Sequence, residues 1–125
     1  MREGEEMLTI EIQSVGPKIK PTKDNFLILF KDDAPDSIKE VALIHNYQGD
    51  FPADYLKVGT KISFGQSQYT ITKVGDLVTA NLNEIGHTVF YFQDVPGDEA
   101  IMHNGIYLSP AQTPSLVAGD KIIFH

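Results

Sequence analysis

Lys61-Ile62-Ser63-Phe64-Gly65-Gln66-Ser67-Gln68-Tyr69-Thr70-Ile71-Thr72-Lys73-Val74 is the stretch that decides the fold. Ile62 and Phe64 alternate with polar residues before Gly65-Gln66-Ser67, and Tyr69 and Ile71 alternate after it. A period of two on both sides of a glycine-containing turn is the pattern of a β-hairpin. The same period recurs outward. Leu8, Ile10 and Ile12 alternate with Thr9, Glu11 and Gln13, so Met7–Val15 reads as a half-buried strand ended by Gly16-Pro17. Phe26–Phe30 is a short continuous apolar run whose length suits a strand buried on both faces. Val41–Tyr47, His87–Phe92, Gly105–Leu108 and Lys121–Phe124 read as further strands.

Helix is scarce. Ser37–Glu40 suits one helical turn after the turn-rich Asp32–Asp36. Leu77, Leu82 and Ile85 fall on one face of a short helix near residues 77–85, with Gly86 where a C-terminal cap belongs. Phe51–Leu56 is a loop around Pro52. Short strands with one short helix predict an all-β fold, a closed or nearly closed barrel of about six to eight strands.

An internal echo suggests pseudo-symmetry. Leu56-Lys57-Val58-Gly59-Thr60-Lys61-Ile62-Ser63-Phe64 matches Leu116-Val117-Ala118-Gly119-Asp120-Lys121-Ile122-Ile123-Phe124 at Leu, Gly, Lys, Ile and Phe. In each copy glycine permits a positive φ in a tight turn, and the next strand places Ile and Phe on one face. The competing explanation is chance, because a loop, a glycine and a strand in succession are common in β proteins.

Composition narrows the class. The chain has 125 residues, enough for one domain over 1–125 and one core. Residues 1–6 read as a flexible N-terminal tail, acidic and polar, unlike a signal peptide. Net charge is −7, which argues against nucleic acid or an anionic membrane as the main partner. There is no cysteine, hence no disulfide or thiol chemistry. Apolar runs reach only about five residues against the ~20 of a spanning helix, so a cytoplasmic location is expected.

The residues that carry chemistry are few. His45 ends the apolar run Val41-Ala42-Leu43-Ile44 and precedes the polar Asn46-Tyr47-Gln48-Gly49-Asp50, at the rim of a rigid element. A neutral imidazole there is a nucleophile able to form a covalent intermediate; the plainer explanation is a surface histidine that ends a strand. His87 follows the cap glycine and begins a strand, so it too sits at an element end, as a packing histidine or an assisting one. His103 and His125 read as solvated. No two histidines lie at short metal-ligand spacing, and no cofactor loop or strained serine elbow is present, so no metal and no cofactor are expected. Among 17 carboxylates no spacing singles out an acid–base pair.

Several separated motifs then carry a resemblance. Ala34-Pro35-Asp36, Glu40 and Ile44-His45 resemble the phosphorylation-site segment of the glucitol/sorbitol-specific enzyme IIA proteins of the bacterial phosphoenolpyruvate-dependent sugar phosphotransferase system (PTS). Phe64-Gly65-Gln66, Tyr69 and Val74-Gly75 within residues 59–75 are similar to that family, as are Asn81-Leu82 and Glu84-Ile85-Gly86-His87. The similarity runs from about Met7 to Phe124.

The resemblance implies that His45 is phosphorylated, accepting a phosphoryl group from the phosphocarrier HPr and passing it to the IIB domain of the glucitol/sorbitol permease. It implies contact with the membrane only through the IIB/IIC permease components. Orienting groups for the ring are expected among Asn46, Gln48, Thr88 and backbone amides near Gly49, and His87, if close in the fold, is expected to assist by donating to the phosphoryl oxygens. Either Val41 and Leu43 or Ala42 and Ile44 are expected to line a docking patch, one set facing the core and the other the partner. The alternatives are a non-catalytic small-ligand-binding or regulatory β-barrel module and, disfavoured by the histidine spacing, a metal-dependent sugar-modifying barrel.

Overall fold

Alternation places one face of nearly every strand in a single interior, and one curled sheet results. The computed structural model describes residues 7–125; the expected tail at 1–6 lies outside the described residues. The elements are β1 (Leu8–Glu11), β2 (Ser14–Val15), β3 (Phe26–Lys31), α1 (Asp36–Lys39), β4 (Ala42–His45), β5 (Lys61–Phe64), β6 (Ser67–Val74), α2 (Val78–Ile85), β7 (Thr88–Tyr91), a 3-10 turn (Asp98–Ala100), β8 (Gly105–Ser109) and β9 (Lys121–Phe124). Nine strands form one sheet in the order β1-β9-β5-β6-β8-β7-β3-β4-β2. The expected single strand Met7–Val15 is thus two segments. Its first part pairs with β9 and its second with β4, the two ends of the sheet, so the curl is nearly closed by one bent segment.

The hairpin forms as expected, with Lys61 opposite Thr70 and Phe64 opposite Ser67. The echo is realised in space. β5 and β9 lie side by side, antiparallel, with Ile62 opposite Phe124 and Phe64 opposite Ile122, so each copy meets the other in exchanged register. Gly65 N–H donates to Lys121 C=O at 2.9 Å, and His125 N–H donates to Lys61 C=O at 2.9 Å. Gly59 and Gly119 hold φ of 96° and 97°, and their N–H groups reach Ile71 and Ile12 carbonyls, each at 2.8 Å. Further round, Gly16 N–H to Ala42 C=O is matched by Gly75 N–H to Gly105 C=O, at 2.9 and 2.8 Å. The parallel pair β3/β4 corresponds to the parallel pair β7/β8. One half therefore runs from β1 to β5 and the other from β6 to β9, related by a pseudo-two-fold between β5 and β9. The halves differ most between β6 and β7, where α2 stands; the counterpart connection between β2 and β3 carries no helix.

Ile10, Leu29, Leu43, Ile62, Phe64, Ile71, Phe90, Phe92, Ile106, Ile122 and Phe124 fill the interior. Phe64 lies at its centre, ring centroids 4.9 Å from Phe90, 5.4 Å from Phe92 and 5.5 Å from Tyr69. Phe64→Ala is expected to cost about 3–5 kcal/mol, read from the urea midpoint at unchanged slope. A small second cluster of Ala34, Ala42 and Ile44, with Ile28, Phe30 and Ile38 against it, lies on the other side of β3 and β4. β4 is consequently buried at all four positions. The expected docking patch on β4 is not there: Leu43 faces the interior, Val41 is exposed but alone and precedes the strand, and the outer pair Ala42 and Ile44 is covered by the α1 side chain Ile38 and by Phe30. Among the described residues, no helix is long and apolar enough to cross a membrane.

Candidate functional site

Three pieces of chain converge on His45, and each has a local reason to be there. β4 carries the residue at its last position, beside Lys31 in the parallel register of β3. His45 shares the parity of Leu43 and so follows it toward the interior. α2 supplies the second piece. It ends at Gly86, which adopts φ 68° and accepts the left-handed conformation that closes a helix. That turn leaves the Gly86 carbonyl outside the helix and directed at the histidine. The third piece is the segment 46–50, exposed except for the half-buried Tyr47, which folds back so that the Tyr47 amide meets the ring.

The ring is not presented at a rim. His45 is only 2% exposed, and both nitrogens are engaged. Tyr47 N–H donates to Nδ1 at 3.0 Å, and Nε2 lies 2.9 Å from the Gly86 carbonyl oxygen. A backbone amide only donates and a carbonyl only accepts, so the tautomer is determined: the lone pair is on Nδ1 and the proton on Nε2. Burial pushes the pKa of His45 below its ordinary value; the Gly86 carbonyl works against that shift, the Lys31 charge adds to it and Asp32 opposes it. The imidazole is therefore neutral near neutral pH and keeps a nucleophilic nitrogen.

None of the side chains expected to orient the ring does so. Asn46 uses its own carbonyl to accept from the Gln48 side chain at 2.9 Å, and Thr88 Oγ1 donates to the Asn104 carbonyl at 3.2 Å. The orienting groups are main-chain: a loop amide, as expected near Gly49, though it is that of Tyr47, and the Gly86 carbonyl, for which the cap glycine was the one legible sign. Asn83 was also missed. Its amide accepts from Phe51 N–H at 2.7 Å and donates to Phe51 C=O at 3.0 Å, tying the far end of the covering segment to α2.

His87 is half-buried. Its ring lies 4.7 Å from Phe30 at an interplanar angle of 31°, on the side of the sheet that holds the second cluster. Its Nδ1 is 3.3 Å from Asn104 Nδ2, and burial pushes its pKa down. His87 is linked to His45 only through its sequence neighbour Gly86; its own ring lies against Phe30 on the outer side of the sheet, so the expected donation from His87 to a phosphoryl group on His45 is not what the geometry offers. His103 pairs with Asp76 at 2.7 Å, and His125 lies 2.9 Å from Ser63 Oγ; both are exposed. Among the described residues, no group of three or more His, Cys, Asp or Glu side chains is arranged to hold a metal ion.

The depressed histidines give a signed pH dependence. The unfolded chain binds protons near pH 6.5 while folded His45 and His87 do not, so their contribution to stability is complete above about pH 6.5 and declines as pH falls through the lower folded values. The urea midpoint is expected to drop between pH 7.5 and 5.5, and the drop is expected to shrink in a His45→Gln/His87→Gln double variant.

Comparison with known proteins defines the class first. The fold superposes with a TM-score of 0.84 on the crystal structure of a PTS system IIA component from Enterococcus faecalis V583, at 32% identity over 92% of this chain and 97% of that one. This is the architecture of a PTS IIA component. The family model for the PTS system glucitol/sorbitol-specific IIA component matches residues 7–123. The glucitol/sorbitol-specific EIIA component of Escherichia coli (strain K12) is 35% identical over 107 residues, 86% of this chain and 84% of that protein. Its counterpart in Shigella flexneri is 36% identical over 102 residues, 82% of this chain and 80% of that protein. The chain belongs to the family of glucitol/sorbitol-specific IIA components of the PTS.

Proposed function

We propose that this protein is a phosphocarrier in which His45 accepts a phosphoryl group from HPr and passes it to the IIB domain of a glucitol/sorbitol permease. It would work on the cytoplasmic side and reach the membrane only through its permease partners. The observation that carries the proposal is the neutral ring with one assigned tautomer, whose Nδ1 lone pair accepts from the Tyr47 amide between the exposed residues Asn46 and Gln48. Transfer between two histidines requires in-line approach, a deprotonated nitrogen and donors for the charge spread over the phosphoryl oxygens. Donor and acceptor are both phosphohistidines of similar transfer potential, so the step is reversible and needs no metal.

The burial of His45 is the one feature that favours a non-catalytic barrel module instead. Incubation with phosphoenolpyruvate, enzyme I and HPr separates the two. A phosphocarrier yields an acid-labile, base-stable adduct on His45; a ligand-binding or regulatory module yields none.

His87 assists, in this proposal, by anchoring the start of β7 so that the neighbouring Gly86 carbonyl holds its place. His87→Ala is expected to slow transfer several-fold, on the order of 1 kcal/mol in barrier, while His45 is still labelled. An unchanged rate removes His87 from the site.

A further inference from the structure

With the phosphorelay proposed above as premise, we propose that the phosphoryl group is carried on Nδ1 of His45. Segment 46–50 lifts to receive it, and the Nε2 proton stays on the Gly86 carbonyl throughout.

The two nitrogens differ in what they hold and in what covers them. Nδ1 has the lone pair; Nε2 has the proton and no pair to offer. Over Nδ1 lies the Tyr47 amide, in a run where Asn46, Gln48, Gly49 and Asp50 are all exposed. Apart from the half-buried Tyr47, whose ring packs on the core beside Phe51, that run is solvent-facing, and it is tethered at Phe51 by Asn83. Local opening at low cost is a property of such segments. Over Nε2 lies the end of α2, and that side is closed. A Cβ on Gly86 would overlap the Lys31 stem and sit 3.2 Å from Nε2, so a methyl group has no room there, still less a phosphoryl group.

Hydrogen bonding points the same way. A phosphoryl group on Nε2 would gain from the nearby Lys31 charge but would set its anionic oxygens against the Gly86 carbonyl oxygen, with the ring proton lost and no acceptor built for one on Nδ1. On Nδ1 the oxygens meet an N–H donor, and the Tyr47 amide exchanges a nitrogen acceptor for a phosphoryl oxygen.

The step balances without a further reactant. The Nδ1 pair forms the N–P bond as the P–N bond of the donor's phosphohistidine breaks, and that bond's electrons return to the donor ring. His45 becomes a phosphorylated imidazolium that retains Nε2–H, and the Gly86 carbonyl accepts a stronger, charge-assisted hydrogen bond from it. In the onward step the retained proton lets His45 leave as neutral imidazole.

The test uses the wild-type protein with 15N-labelled histidine, phosphorylated by phosphoenolpyruvate, enzyme I and HPr. Long-range 1H–15N spectra assign the ring nitrogens, and coupling to 31P marks the phosphorylated one. The expected result is coupling at Nδ1 of His45 and an Nε2–H tautomer before phosphorylation. Coupling at Nε2 of His45 overturns the assignment and leaves the phosphorelay standing. An absence of phosphate from His45 overturns the phosphorelay and this inference together.

Discussion

His45→Gln protein, incubated with phosphoenolpyruvate, enzyme I and HPr, is expected to take up no acid-labile phosphate. The parent protein is expected to be labelled on His45 under the same conditions. Gln is a suitable replacement because its amide N–H groups can still donate toward the Gly86 carbonyl that Nε2 now reaches at 2.9 Å. The space is filled and a buried acceptor keeps a donor, so the fold should survive; the urea transition of the variant checks this. What is lost is the nitrogen lone pair, since an amide nitrogen is delocalised into its carbonyl. Removing a covalent nucleophile lowers rate by a factor on the order of 10³ or more, which places residual transfer below detection. Undiminished labelling of the variant would move the site to another histidine, and His87 would be examined next by the same substitution.

The second large effect is expected at Tyr47, and it comes from the backbone. Tyr47→Pro deletes the N–H that now meets Nδ1 at 3.0 Å and would stabilise the transferring phosphoryl group; Tyr47→Ala keeps it. Proline biases the preceding Asn46 toward extended backbone, and the urea transition of the variant checks that the fold survives the change. Loss of one preorganised donor to developing charge costs about 10²–10³ in rate. Tyr47→Pro is therefore expected to slow transfer from HPr by about two orders of magnitude, with Tyr47→Ala close to the parent. The pair of variants isolates the amide from the aromatic ring, which packs 5.8 Å from Phe51 and would be lost in both. Equal rates for the two variants, measured by rapid quench, would show that the Tyr47 amide takes no part in the transfer.

Much of the architecture was legible because the relevant forces are local. The hairpin at Lys61–Val74 is written in alternation and a glycine turn, and α2 is closed by Gly86 as its position suggests. The echo between Leu56–Phe64 and Leu116–Phe124 pointed to pseudo-symmetry, and its two copies pair with each other in the sheet. β4 was read less well. Its alternate residues looked free to form a docking patch, but Phe30 and Ile38 cover Ala42 and Ile44 from parts of the chain that no periodicity connects to them. Met7–Val15 looked continuous because alternation does not register a change of partner between β9 and β4.

By itself the sequence determined most of the strand positions, where α2 stops, and that a histidine stands where an apolar strand gives way to a polar segment. Each follows from side-chain periodicity or from glycine's freedom at positive φ, properties that a short window of chain carries within it. Only the tertiary structure decided how that histidine is held. The helix in one half of a pseudo-symmetric barrel brings the Gly86 carbonyl across 41 residues of sequence to Nε2. The return of the chain after β4 brings the Tyr47 amide to Nδ1. Both contacts are made by peptide groups, which every residue but proline carries alike, so their placement is a matter of geometry that side-chain identity does not encode.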